Sequence, residues 1–233
     1  DIHANLAALD AVLAAIGSVD AVWHLGDVVG YGPDPDGVVA RLSSIGAVGV
    51  AGNHDLAAIG GQEIDWFNPD AKAAMEWTRG RIDDATRTWL GSLPRTHREG
   101  DLSLVHGSPR DPVWEYITSV PVARANLAAL ETTVGLHGHT HLPMAWADRD
   151  GRIASIAPGP GPTFRLDGHP ALLNPGSVGQ PRDGDPTASW LEIDTDAAVA
   201  TWRRVAYDAG AVRTAMLDGG PPPRLADRIR FGL

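Results

Sequence analysis

Cysteine is absent from all 233 residues. No disulfide framework and no thiolate metal site is therefore available, and any metal must be held by His, Asp, Glu or Asn. A chain without cysteine suits the cytoplasm. Lysine is almost missing too: Lys72 is the only one, and arginine supplies the remaining basic charge. The formal net charge of -10 opposes long-range attraction to nucleic acid or anionic membranes, whose binding proteins carry a basic patch. No apolar run approaches the roughly 18 residues of a membrane span, and no signal peptide is visible. What remains is ordinary for a globular protein, 43% hydrophobic and 21% charged, of a length that fits one domain over residues 1–233. The sequence opens at Asp1 without an initiator methionine, and a helical stretch follows almost at once, so further residues are expected upstream.

Apolar periodicity sets the element order. Leu6, Leu9, Val12, Leu13 and Ile16 recur at helical spacing between a capping Asn5 and a terminating Gly17. "DAVWHLGD" (20–27), "AVGVAGNHD" (47–55), "LSLVHGS" (102–108) and "TVGLHGHTH" (133–141) each read as an apolar strand delivering polar residues at its end. Helices are expected between them over 38–45, from Asn68-Pro69 through Arg79, over 83–90 and over 121–131. Beyond His141 the texture turns to hairpins, followed by helices over 209–217 and in the terminal "RLADRIRFGL". The pattern predicts an α/β fold of two sheets, the first partly parallel, packed face to face with helices outside.

Ligands of open α/β sheets bind beyond the carboxyl ends of the strands. Collected in order, the polar residues there are Asp1, His3, Asp27, Asn53, His54, Asp55, His106, His139 and His141. Carboxylate oxygen, amide oxygen and imidazole nitrogen suit Mn, Fe, Zn, Co or Ni better than Mg, and the set is too rich for one ion. In an extended backbone, residues two apart share a face, so Asp1 with His3, and His139 with His141, are expected to reach one site each. Singly, each of these residues reads as a turn, cap or core residue; the shared strand-end context favours function.

"DIHAN", "GDVVGYGPDP", "GNHD", "HGS" and "GHTH", in this order over residues 1–141, resemble the signature blocks of the calcineurin-like metallophosphoesterases. "NPGSVGQPRDGDP" (174–186) extends the resemblance to the small single-domain bacterial members. The resemblance implies a four-layer αββα sandwich of two mixed sheets flanked by helices, with a central strand before Asp1. It implies two divalent transition-metal ions, one on Asp1, His3 and His141, the other on Asn53, His106 and His139, with Asp27 shared. His54 would face the leaving group, with Asp55 orienting its ring. The implied chemistry is in-line attack of a metal-bridging hydroxide on a small phosphate ester, a phosphodiester or a nucleotide pyrophosphate of the diadenosine polyphosphate type, with His54 as general acid. A phosphomonoesterase, or a non-catalytic scaffold of the same fold, is the alternative. Scaffolds look degenerate at the position matching His54, which is present here.

His137 matches no ligand position and reads as a neighbour of the site, and His24 reads as structural. Trp66, Phe67, Trp114 and Tyr116 could stack on a nucleoside or aryl group, although packing is the plainer reading. Arg110 and Arg182, in "SPRDP" and "QPRDG", could meet a substrate phosphate or serve as ion-pair partners.

Overall fold

The computed structural model describes residues 1–60, 64, 67–158 and 161–233. Asn5 caps α1 (Leu6–Ile16) by accepting from Ala8 N, and the helix stops at Gly17 with φ 67°. β1 (Trp23–His24) runs parallel to β2 (Val48–Gly49), with the right-sized crossover provided by α2 (Pro35–Ser44), which Asp34 caps. α3 (Asn53–Ala58) begins almost at the end of β2. α4 (Pro69–Arg81) starts as expected, with Asn68 accepting from two backbone N–H groups and proline at the first turn, and α5 (Asp84–Ser92) follows under an Asp83 cap.

β3 (Thr96–Glu99), β4 (Leu102–Val105), β5 (Val134–Leu136), β6 (Pro143–Arg149), β7 (Arg152–Ile156) and, past β8 (Thr163–Arg165), β9 (Ala171–Pro175) form most of the strand content. Six of them make one sheet in the order β3-β4-β5-β9-β6-β7, in which β4, β5 and β9 are parallel and the others antiparallel to their neighbours. β10 (Ala188–Asp194) and β11 (Val199–Val205) join β8 in a wholly antiparallel sheet, β10-β11-β8. Between the two lies the main core: Leu104, Val134, Leu136 and Leu173 meet Phe164, Ala200 and Trp202. α6 (Val120–Leu127) covers the far side of the larger sheet through Ala123, Leu127, Trp146 and Leu172. α1 covers the far side of β10 and β11 through Ala8 and Val12, and α7 (Ala209–Leu217) and α8 (Pro223–Arg228) pack together beside Tyr31. Helix, sheet, sheet, helix is the expected layering.

The differences are local. Only the larger sheet is mixed; β1 and β2 form a separate parallel pair among the described residues. β3 and β8 escaped the sequence because "THRE" and "TFR" are short and lack an apolar alternation. β2 is cut to two residues because α3 takes over at Asn53, and α6 and α8 end before the expected 131 and 233. No described helix is long and apolar enough to cross a membrane.

Candidate metal centre

The candidate residues come together from turns that follow β1, β2, β4 and β5. The N-terminal segment is tied to the end of β1, with Ile2 N and His3 N both donating to Asp27 O at 2.9 Å and Ala4 N donating to Val28 O. Asp1 is therefore buried, 7% exposed, and its carboxylate accepts from His139 N. Gly26 and Gly52 let the turns after β1 and β2 touch: Gly26 has φ 81°, and a β-carbon on Gly52 would overlap the Asp27 carboxylate. That contact lets His54 N donate to Asp27 Oδ1 at 2.9 Å, which leaves Asp27 Oδ2 facing inward.

Two groups of ligand-type atoms result. Asp1, His3, Asp27 and His141 form one, and Asp27, His106 and His139 the other, with atoms in each group within 4.8 Å of one another and every residue buried. Asn53 joins the second group, its Oδ1 lying 2.9 Å from His106 Nε2. Asp27 belongs to both.

Backbone carbonyls fix the tautomers of three rings. His3 Nδ1 donates to Val29 O at 3.2 Å, His106 Nδ1 to Leu25 O at 2.8 Å and His141 Nδ1 to Gln180 O at 2.6 Å. A carbonyl only accepts, so the proton sits on Nδ1 and each Nε2 is left as a bare lone pair. Burial, followed by the neighbouring His141, holds His3 well below the ordinary imidazole range, and burial, followed by Arg182, does the same to His141. Burial lowers His106 to about 3, against the opposing pull of its bond to Leu25, and burial with His106 lowers His139 to about 3. All four rings are neutral at pH 7. The approaches of His3, His106 and His141 Nε2 to Asp1 and Asp27 at 3.4 to 3.7 Å are thus contacts of acceptors with carboxylates and not ion pairs.

This arrangement repels itself unless something electrophilic is shared. His3 Nε2 and His141 Nε2 point lone pairs at one another across 3.1 Å, and His106 Nε2 lies 2.9 Å from His139 Nδ1. Two carboxylates sit among them, and among the described residues no Lys or Arg side chain is ion-paired with either, a costly arrangement for buried charge. Divalent cations would relieve both problems, and the oxygen and imidazole donor set fits them.

The backbone around the cluster is held in uncommon conformations. Six of the eight described non-glycine residues with positive φ are here: His3, Ala4, Asp27, Tyr31, His139 and His141. Each costs about 1–2 kcal/mol in the left-handed region, so the surrounding contacts must over-determine them. This corrects the explanation offered for the histidine alternation. β5 ends at Leu136, and with φ 67° and 60° His139 and His141 turn into different groups instead of sharing one face of a strand.

A second correction concerns Asp55. It does not touch the His54 ring; Oδ1 accepts from Val28 N and Val29 N, and Oδ2 from Gly52 N. Burial and the nearby Asp27 push its carboxyl up to about 7, against those three bonds. It pins the β1 turn to α3. His54 Nδ1 instead lies 3.0 Å from Met75 Sδ, and its ring packs on Phe67, Tyr31 and His3 at centroid distances of 4.9, 4.5 and 5.0 Å. Burial lowers it to about 4, so the ring is neutral at pH 7 before substrate arrives, contrary to the expected imidazolium.

His137 lies outside both groups, fully buried, with Nδ1 3.3 Å from Asn174 Nδ2. Phe67 and Trp114 pack together, Tyr116 stacks on His139 at 3.8 Å, and Trp66 lies outside the described residues. Arg110 is paired with Glu115. His24 is buried in β1 with neither ring nitrogen hydrogen-bonded.

Tyr31, Asn174 and Gln180 are the neighbours sequence reasoning did not single out. Asn174 Nδ2 donates to Gly138 O at 2.7 Å and Thr140 Oγ1 at 3.1 Å, bracing the turn that carries His139 and His141. The available signal was that Tyr31 lies in "GDVVGYGPDP" and the other two in "NPGSVGQPRDGDP", both quoted blocks.

Comparison with known proteins identifies the family. Residues 1–196 match the calcineurin-like phosphoesterase superfamily domain. An uncharacterized protein of Methanocaldococcus jannaschii, MJ0912, is 31% identical over 240 residues, covering 100% of this chain and 96% of its own length. The crystal structure of a metallophosphoesterase from Sphaerobacter thermophilus superposes with TM-score 0.92 at 40% identity, over 100% of this chain and 96% of that one. A hypothetical protein of Pyrococcus horikoshii OT3, PH1004, shares the fold with TM-score 0.83 at 19% identity, over 100% and 96% of the two chains. The chain belongs to the calcineurin-like phosphoesterase superfamily, whose members are generally hydrolases and typically depend on two metal ions.

Proposed function

We propose that this protein is a two-metal phosphoesterase that hydrolyses phosphodiesters or nucleotide pyrophosphates. Asp1, His3 and His141 hold one cation, Asn53, His106 and His139 the other, and Asp27 is shared. The observation that carries the reading is the pair of bare Nε2 lone pairs on His3 and His141, facing each other at 3.1 Å. Mn, Fe, Zn, Co or Ni suits this mixture of oxygen and imidazole ligands. When bound, two such ions supply a nucleophilic water near neutral pH and neutralise charge on the phosphoryl oxygens.

The chain's own residues do the rest. Val29, Leu25 and Gln180 carbonyls hold three imidazoles with the lone pair inward, so no reorganisation is needed as ligands bind. His54 N fixes the Asp27 carboxylate, and in the proposed reaction the His54 ring serves the leaving oxygen. It regains its second proton next to an anionic substrate, since negative charge favours the imidazolium, and then donates it through Nε2. The sulfur of Met75 accepts from Nδ1 and sets that orientation. Protein purified without chelators should contain two metal equivalents and cleave bis-p-nitrophenyl phosphate, and His54→Ala should keep the metal while losing most of the activity. A metal-loaded wild type inert towards phosphodiesters and nucleotide pyrophosphates contradicts the proposal.

A further inference from the structure

We propose that Arg182 is a specificity-determining residue that grips the substrate's phosphate oxygens, held in place by Tyr116 and Gln180. The inference rests on the phosphoesterase reading and adds a residue to it. Arg182 lies on the connection between β9 and β10, directly after the segment that aims His141. Gln180 does two jobs there: its backbone carbonyl accepts from His141 Nδ1, and its Oε1 accepts from Arg182 Nη2 at 3.2 Å. The guanidinium is therefore tied to the same two-residue unit as a metal-type ligand. The guanidinium also lies beside the Tyr116 hydroxyl, and Tyr116 is itself seated on the His139 ring at 3.8 Å with an interplanar angle of 15°. One arginine thus links a neighbour of His141 to a neighbour of His139.

What Arg182 lacks is as informative. Arg110, the other sequence candidate, is paired with Glu115. Arg182 has no carboxylate partner among the described residues, and its Nε is buried without any hydrogen-bond acceptor. A desolvated guanidinium N–H with nothing to bind is costly. Next to a centre built for phosphate esters, a planar fork of donors matches the oxygens of a phosphoryl group. Tyr116 is 47% exposed, so this edge of the centre reaches solvent.

The test is calorimetric titration of inorganic phosphate into the metal-loaded protein, freed of excess metal, with metal content measured on every sample. Arg182→Gln should keep both metal equivalents and the unliganded melting temperature, and bind phosphate about 10- to 100-fold more weakly. Arg182→Lys should recover part of that loss, because charge returns without the fork. Tyr116→Phe should give a smaller weakening, and Arg110→Gln none. In turnover of bis-p-nitrophenyl phosphate, Arg182→Gln should raise KM. Unchanged phosphate affinity in Arg182→Gln, while the wild type hydrolyses ester, overturns the assignment and leaves the phosphoesterase reading standing. A wild type that holds two metals but neither binds phosphate nor hydrolyses ester overturns both.

Discussion

Replacing Asn174 by alanine should weaken the metal centre without touching any ligand. Asn174 is fully buried at the end of β9. Its Nδ2 donates to Gly138 O and Thr140 Oγ1, its Oδ1 accepts from Gly176 N at 2.8 Å, and Trp202 Nε1 donates to its backbone carbonyl. Alanine keeps the last bond and removes the other three. Gly176 N is then left without its buried partner at about 1–3 kcal/mol, while Gly138 O keeps Thr140 N at 2.8 Å and loses only a second bond worth about 1 kcal/mol, so the apoprotein should lose about 2–4 kcal/mol. The same cut releases the turn that holds His139 and His141 at φ 67° and 60°. Metal affinity should fall about 10- to 100-fold, as it does when groups that orient ligands are removed. Denaturant unfolding of the apoprotein measures the first quantity, and titration with a competing chelator the second. A loss of stability under about 1 kcal/mol together with unchanged metal affinity would refute the reasoning, because it would mean that the turn holds itself.

Two further outcomes follow from packing and burial. Burial lowers His24 to about 3 from an ordinary 6.5, and neither nitrogen has a partner, so the folded state keeps the ring neutral while the unfolded chain takes up a proton. Stability is therefore fully present above about pH 6.5 and drains away as pH falls towards 3, by about 2 kcal/mol at pH 5; His24→Leu should flatten that part of the stability–pH curve, and parallel curves for both proteins would contradict it. Gly52→Ala should disrupt the centre, since the added carbon overlaps both the Asp27 carboxylate and its backbone nitrogen. Loss of bound metal in a still folded protein, or loss of folding, is the expected result, and a normal metal content in a stable Gly52→Ala protein would show that the turns after β1 and β2 do not touch as described.

The sequence revealed more of the site than of the sheets. Asp27, His106 and His139 were legible as candidates because each follows an apolar strand, whereas Asp1, His3, Asn53 and His141 stood out chiefly through the resemblance of their blocks to one family's. Long periodic helices such as α1 and α4, with Asn5 and Asn68 as caps, were legible to within a residue or two. β3 and β8 were not, because a three- or four-residue edge strand carries too little pattern to distinguish it from loop. The error over Asp55 has a different origin. Proximity in sequence to His54 suggested a side-chain partnership, whereas three backbone N–H groups from two separate turns had a prior claim on its carboxylate. Backbone carbonyls also decide which nitrogen of His3, His106 and His141 is bare, and tertiary folding alone brings them there.

Metal stoichiometry in point variants tests the central claim most directly, because Asp27 is the one residue common to both groups. Elemental analysis of protein purified without chelators should give two equivalents for the wild type, about one for His3→Ala, and less than one for Asp27→Ala. A wild type without bound metal, or an Asp27→Ala protein that still holds two equivalents, would contradict the account.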